Sequence, residues 1–205
     1  MESAAPERHG SGVLRAVLHS PPLWRVALVY VGSFGVQLVV GAWLIHYLTE
    51  GDGMAVGLAG LLAFLMFGVS AAARDLGGTL SARGVSPVIL VGMAPFLATL
   101  GLAISIDRSF AVALPAVVLM GIGFSLPYAV MMDEAQRLFP QRPLAPITLL
   151  QLAANTIPMI VIPLVGAALA GGDGEAALLA LAAFCAVGGV ANLRPAVPPS
   201  AGPRR

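Results

Sequence analysis

Residues 26–49 read VALVYVGSFGVQLVVGAWLIHYLT, 24 positions without one charged side chain. A helix rises about 1.5 Å per residue, so this run is long enough to cross the roughly 30 Å hydrocarbon core of a bilayer. Five more charge-free windows follow: 53–73 (21 residues), 84–106 (23), 109–132 (24), 143–172 (30) and 176–193 (18). Each has the length of one crossing, and the longest holds one crossing plus flanks. The expectation is an all-α integral membrane protein whose domain, 23–193, holds six transmembrane helices at about 24–49, 54–73, 88–106, 110–132, 147–170 and 176–193.

Composition points the same way. Of the 205 residues, 58% are hydrophobic and 10% charged, where a soluble domain carries about a quarter charged. Six rods apolar all round would need a polar shell in water, and the chain is too short to supply one. The expected surroundings are therefore the lipid bilayer. A formal charge of +1 leaves no basic face for nucleic acid, so no such partner is expected. The single Cys185 excludes an intrachain disulfide or a cysteine metal cluster, and His9, His19 and His46 stand apart, so neither a metal nor another cofactor is expected.

Charge also sorts the connections. Segments 50–53, 107–109 and 171–175 are short and acidic, with Arg108 as their one basic residue. The segment up to Arg25, 74–87, 133–146 and the tail from Arg194 hold the other ten of the eleven arginines. Arg-rich short loops stay cytoplasmic during insertion, so both termini are placed in the cytoplasm of a multi-pass protein of the plasma membrane. Residues 1–22 read as a cytoplasmic leader without a secretory signal, because Glu2, Glu7 and Arg15 interrupt it. Within it, 13–19 form either a short interfacial helix or a flexible stretch stopped by Pro21-Pro22, and 194–205 read as a disordered tail.

Polar residues inside the windows are the candidates for function, since the bilayer interior penalises them. On the first helix, Tyr30, Ser33, Gln37 and Gly41 are spaced by three, four and four, which puts them on one face of a regular helix. Gln37 lies near mid-window, either facing a solute or hydrogen-bonding a neighbouring helix. Trp43, His46 and Tyr47 lie near the outer end, where such side chains anchor at the interface; His46 is alternatively a gating or protonation site. The fourth helix carries Gly121, Ser125 and Tyr128 on one face and Pro127, which should kink it near Ser125. The fifth presents Thr148, Gln151 and Asn155 together, ahead of Pro158 and Pro163. Gly123-Phe124-Ser125 on the fourth helix resembles the nucleophile position of rhomboid-type intramembrane proteases, which carry their histidine base on the sixth helix; here the sixth window has no histidine and His46 lies near the outer end of the first helix, so no enzyme is expected.

The segment Arg74-Asp75-Leu76-Gly77-Gly78-Thr79-Leu80-Ser81-Ala82-Arg83-Gly84 joins the second helix to the third. Its part Gly78-Thr79-Leu80-Ser81-Ala82-Arg83-Gly84-Val85 resembles the cytoplasmic loop motif Gly-x-Leu-x-Asp-Arg-x-Gly of the major facilitator superfamily, with Gly78, Leu80 and Arg83 in place. Ala82 stands where the family usually has Asp and Val85 where it usually has Gly, and Asp75 is the acid nearest upstream, beside Arg74. The Pro-Pro-Leu-Trp-Arg leader end, the short outer turns, the glycine-rich fourth helix and Asp133-Glu134-Ala135-Gln136-Arg137 after it extend the likeness to the layout of the family's C-terminal six-helix half.

The resemblance implies transport of a small solute by alternating access. It implies a central cavity lined by the first and fourth helices, so that Gln37, Ser125 and Tyr128, with Tyr30 and Ser33, contact the solute. The second and fifth helices would lie at the seam with the other half, which assigns Gln151 and Asn155 to that interface. A six-helix chain then needs a second half, as a homodimer or a separate chain. The competing expectations are a non-transporting scaffold that associates through Gly53, Gly57, Gly60 and Gly68, and a truncated inactive fragment.

Overall fold

Glycine closes two of the helices and proline interrupts a third. The computed structural model describes residues 15–50 and 53–193, and contains no strand among them. The expected leader up to residue 14, half of the first acidic turn including Asp52, and the expected tail 194–205 lie outside the described residues. Six helical rods follow one another: α1 (Pro21–Thr49), α2 (Val56–Ala82), α3 (Val88–Ile104), α4 (Phe110–Leu138), α5 (Leu144–Ala170) and α6 (Gly174–Ala191). All but α3 are long and apolar enough to cross a membrane, and α3 is a shorter apolar helix of 6 π-helical and 11 α-helical residues. The chain is a multi-pass helical membrane protein with five long apolar helices.

Two helices run well past the C-terminal ends of their charge-free windows. α2 runs to Ala82 instead of ending near residue 73, so most of the segment expected as a loop is helix. α4 likewise passes Met132 and ends at Leu138. Charge marks where a helix leaves hydrocarbon, but the backbone ladder continues until a residue interrupts it. For α2 that residue is Gly84, whose φ of +86° favours glycine, with Val85 N–H donating to Leu80 O and Gly84 N–H to Ser81 O, both at 3.0 Å. Gly172 ends α5 through the same pair of bonds.

Three rods are irregular. α4 breaks at Leu126–Pro127, because proline has no N–H to continue the ladder. α1 carries a π-helical turn at Val31–Gly35 and α3 another at Val88–Met93. The turn in α1 interrupts the uniform helical period from which the common face of Tyr30, Ser33, Gln37 and Gly41 was read. Around it, Gly32 sits against Cys185 and Phe184 of α6, Gly35 against Ala154 and Pro158 of α5, and Gly41 against Phe67 of α2.

α1 is the most buried helix, flanked by α2 and α5, with α4 and α6 behind it and α3 between α4 and α6. α5 is the least buried; Met159 is 73% exposed there and Phe64 of α2 is 76% exposed. Large apolar side chains at that exposure call for lipid or another protein surface, not water. At the arginine-rich end, Arg25 Nε and Nη2 donate to Ala191 O at 2.9 and 2.6 Å and Asn192 Nδ2 donates to Arg25 O at 2.9 Å, tying the start of α1 to the end of α6. At the acidic end, Arg108 lies 4.3 Å over the Tyr47 ring, 3.7 Å from the Glu50 carboxylate, and donates to Glu50 O at 3.3 Å. Residues 15–18 are helical with Val17 buried, and Trp24 Nε1 donates to Leu18 O at 2.7 Å.

Candidate functional site

Beside the break in α4 and the π-turn in α1 lie residues that the sequence sorted into three separate groups. Tyr30, which is 0% exposed, donates its hydroxyl proton to Gln151 Oε1 of α5 at 2.8 Å. Its ring lies 5.7 Å from that of Phe34, stacked, and 6.0 Å from that of Tyr128, tilted by 45°. Tyr128 opens the segment after the α4 break, and the Arg74 guanidinium of α2 sits 4.3 Å above its ring centroid. One cluster thus links four helices, and combines a tyrosine pair, an amide and an arginine. Arg74 Nε is buried and has no hydrogen-bond partner among the described residues.

Ser33 does not join this cluster. Its hydroxyl donates to the carbonyls of Val29 at 2.7 Å and Tyr30 at 3.3 Å, within its own helix. Gln37 and Ser125 are different again: both are buried, and Gln37 Oε1 and Ser125 Oγ have no partner among the described residues. A helical serine usually bonds the carbonyl four residues back. For Ser125 that is Gly121 O, which accepts from Ser70 Oγ of α2 at 3.2 Å. Asn155 is exposed on α5, with Nδ2 donating to Gln151 O at 2.7 Å, and Thr148 is exposed and bonds its own helix.

In the segment resembling the loop motif, the glycine in close contact is Gly77. A Cβ there would overlap the Leu126 carbonyl at the α4 break, whereas one on Gly78 would meet Ala129 Cβ at an ordinary 3.6 Å. Leu80 is half-buried, Arg83 is exposed at the helix end, and Asp75 is exposed and makes no ion pair among the described residues.

Trp43 and Tyr47 hold helices together. Trp43 Nε1 donates to Ile162 O at 2.9 Å and its ring covers Gly166, and Tyr47 is 3% exposed beneath Arg108. His46 is exposed, with its ring edge-on to Trp43 at 5.9 Å. Sequence reading missed these tertiary roles of Trp43, Tyr47, Arg25 and Asn192, because each is made with a residue more than fifty positions away. The small residues Gly166 and Gly174 opposite the aromatics were the only trace.

Two hollows lie elsewhere in the molecule. An apolar cavity of about 20 Å³ is enclosed by Val40, Leu44, Leu102, Met120, Val165 and Leu181, among others, room for one water but with little polar lining to hold it. A crevice of about 460 Å³ lies between the 53–58 and 107–110 segments. There the Ser109 backbone N–H donates to Asp107 Oδ1 at 2.8 Å and, with the Ser109 hydroxyl, holds the Asp107 carboxyl below its usual range. Neither hollow touches Gln37, Ser125 or Tyr128. The chain matches no protein-family model and no curated protein.

Proposed function

We propose that the chain is one half of a transporter of the major facilitator type and moves a small solute across the plasma membrane by alternating access. The observation that carries this reading is the pair of buried, unpartnered oxygens, Gln37 Oε1 and Ser125 Oγ, on the two long helices whose α-helical run is interrupted. An unsatisfied polar group in an apolar interior costs about 1–3 kcal/mol, so a bundle used only for anchoring gains by replacing both. A solute that hydrogen-bonds to them accounts for their retention, and interrupted helices supply the joints that alternating access needs. Tyr128, Tyr30 and Ser33 lie on the same two helices and complete the neutral set.

The arginine-rich end faces the cytoplasm on this reading, by the positive-inside bias. The second six-helix half, another copy or a separate chain, packs on the side where α2 and α5 flank α1, with Gln151 and Asn155 of α5 toward it. The test is solute flux in liposomes carrying the purified chain, alone and with its candidate second half. Gln37→Leu should abolish flux and leave assembly intact; normal flux with a changed oligomer would make Gln37 a packing residue instead. One feature favours a scaffold: Gly57, Gly60 and Gly68 of α2 have open space where a Cβ would stand, a small-residue surface available to another helix. A stable oligomer with no flux under any pairing would establish that alternative.

A further inference from the structure

From the surroundings of Arg74 we infer a binding site for a phosphate-type anion at the arginine-rich end of the bundle, built by Arg74 on the face of Tyr128. The inference needs the chain only to reside in a membrane, and holds whether or not it moves a solute. Arg74 follows Val56, the first residue of α2, by eighteen positions, about 27 Å of helix, which is close to the hydrocarbon thickness. If the start of α2 lies at one membrane boundary, the guanidinium lies at headgroup depth on the other side.

An arginine there ordinarily pairs with an acid or extends into water. Arg74 does neither completely. It is half-buried, its Nε is removed from solvent, and no hydrogen bond or ion pair reaches it among the described residues. Asp75 and Asp133 do not neutralise it, since Asp75 is exposed without an ion pair among the described residues and Asp133 is bound to Arg137 at 2.7 Å. The guanidinium is held instead by the Tyr128 ring at 4.3 Å, and Tyr128 rests against Tyr30, which Gln151 fixes through its hydroxyl. Stacking restrains the plane of the fork while leaving its terminal Nη groups to donate, and a planar pair of N–H donors matches the oxygens of a phosphate. Two sources supply that chemistry, a lipid headgroup and a soluble phosphate.

The experiment uses the full chain in maltoside micelles, which contain no phosphate, and follows thermal unfolding by tryptophan fluorescence. One arm titrates inorganic phosphate against sodium chloride of equal ionic strength; the other adds phosphatidylglycerol against an uncharged diacylglycerol. Stabilisation in the phosphate arm identifies a soluble anion, and stabilisation in the lipid arm alone identifies a headgroup; either supports the site. In the responding arm Arg74→Gln should weaken apparent affinity on the order of tenfold or more, the loss of a charge-assisted contact. Tyr128→Phe should retain binding and Tyr128→Leu should reduce it, because the ring face, not the hydroxyl, carries the arginine. Arg74→Lys keeps the charge without the fork, and covers the case in which the glutamine variant does not fold; it should bind more weakly than wild type. No response in either arm, or equal responses from wild type and the folded Arg74 variants, overturns the inference.

Discussion

At Gly77 a single methyl group would strike the Leu126 carbonyl, and at Gly78 it would rest at 3.6 Å from Ala129. Gly77→Ala should therefore destabilise the chain by about 1–3 kcal/mol in detergent unfolding, while Gly78→Ala stays within about 0.5 kcal/mol. Equal effects would mean that the α2–α4 crossing is not as close as described. Asp107 gives a residue-scale pH prediction. Its folded carboxyl is lowered by the Ser109 N–H, so the contribution is complete above the unfolded value near 4 and is lost as pH falls through the lowered folded value. A side-chain NMR titration should place its midpoint below about 4, and Asp107→Asn should remove the transition. At this scale the sequence identified Gln37 and Ser125 as polar residues deep in apolar windows. It could not show that their oxygens lack partners, because that depends on which atoms of other helices face them.

A helix is where the windows and the structure differ most. The charge-free runs fall on the five long apolar helices and on the shorter α3, but α2 and α4 continue past the C-terminal ends of their windows until glycine or a non-helical residue ends them. Pro127 announced the interruption of α4. The π-turn at Val31–Gly35 was signalled more weakly, by Gly32, Ser33 and Gly35, which are poor helix formers but do not fix where a ladder slips. Two predictions belong here. Pro127→Ala returns an N–H to the ladder and should straighten α4, lengthening the distance between spin labels on its two ends; an unchanged distance would place the cause of the break in tertiary packing. Tyr30→Phe and Gln151→Leu should couple by about 0.6 kcal/mol, up to roughly 1.7, in a double-mutant cycle, in line with other interhelical bonds in membranes. Additive effects would remove the bond between α1 and α5.

For the whole molecule, the arrangement of the two ends is the testable property. On a Cys185→Ser background, which keeps a donor for the Gly32 carbonyl now bonded by the thiol at 2.9 Å, cysteines at Asp173 should react with an impermeant reagent from outside and those at Ser81 and Gln141 only from inside. Swapped accessibility would invert the orientation. Periodic absence of charge, read along the chain, was sufficient to determine a helical protein made for lipid, because the cost of charge in hydrocarbon acts on each segment independently of its neighbours. The assembly of Arg74, Tyr128, Tyr30 and Gln151 into one cluster was decided only in three dimensions. It joins Tyr30, just before the π-turn, and Tyr128, just after the proline break, to side chains of two other helices, and such meetings are set by the packing of side chains that are remote in sequence.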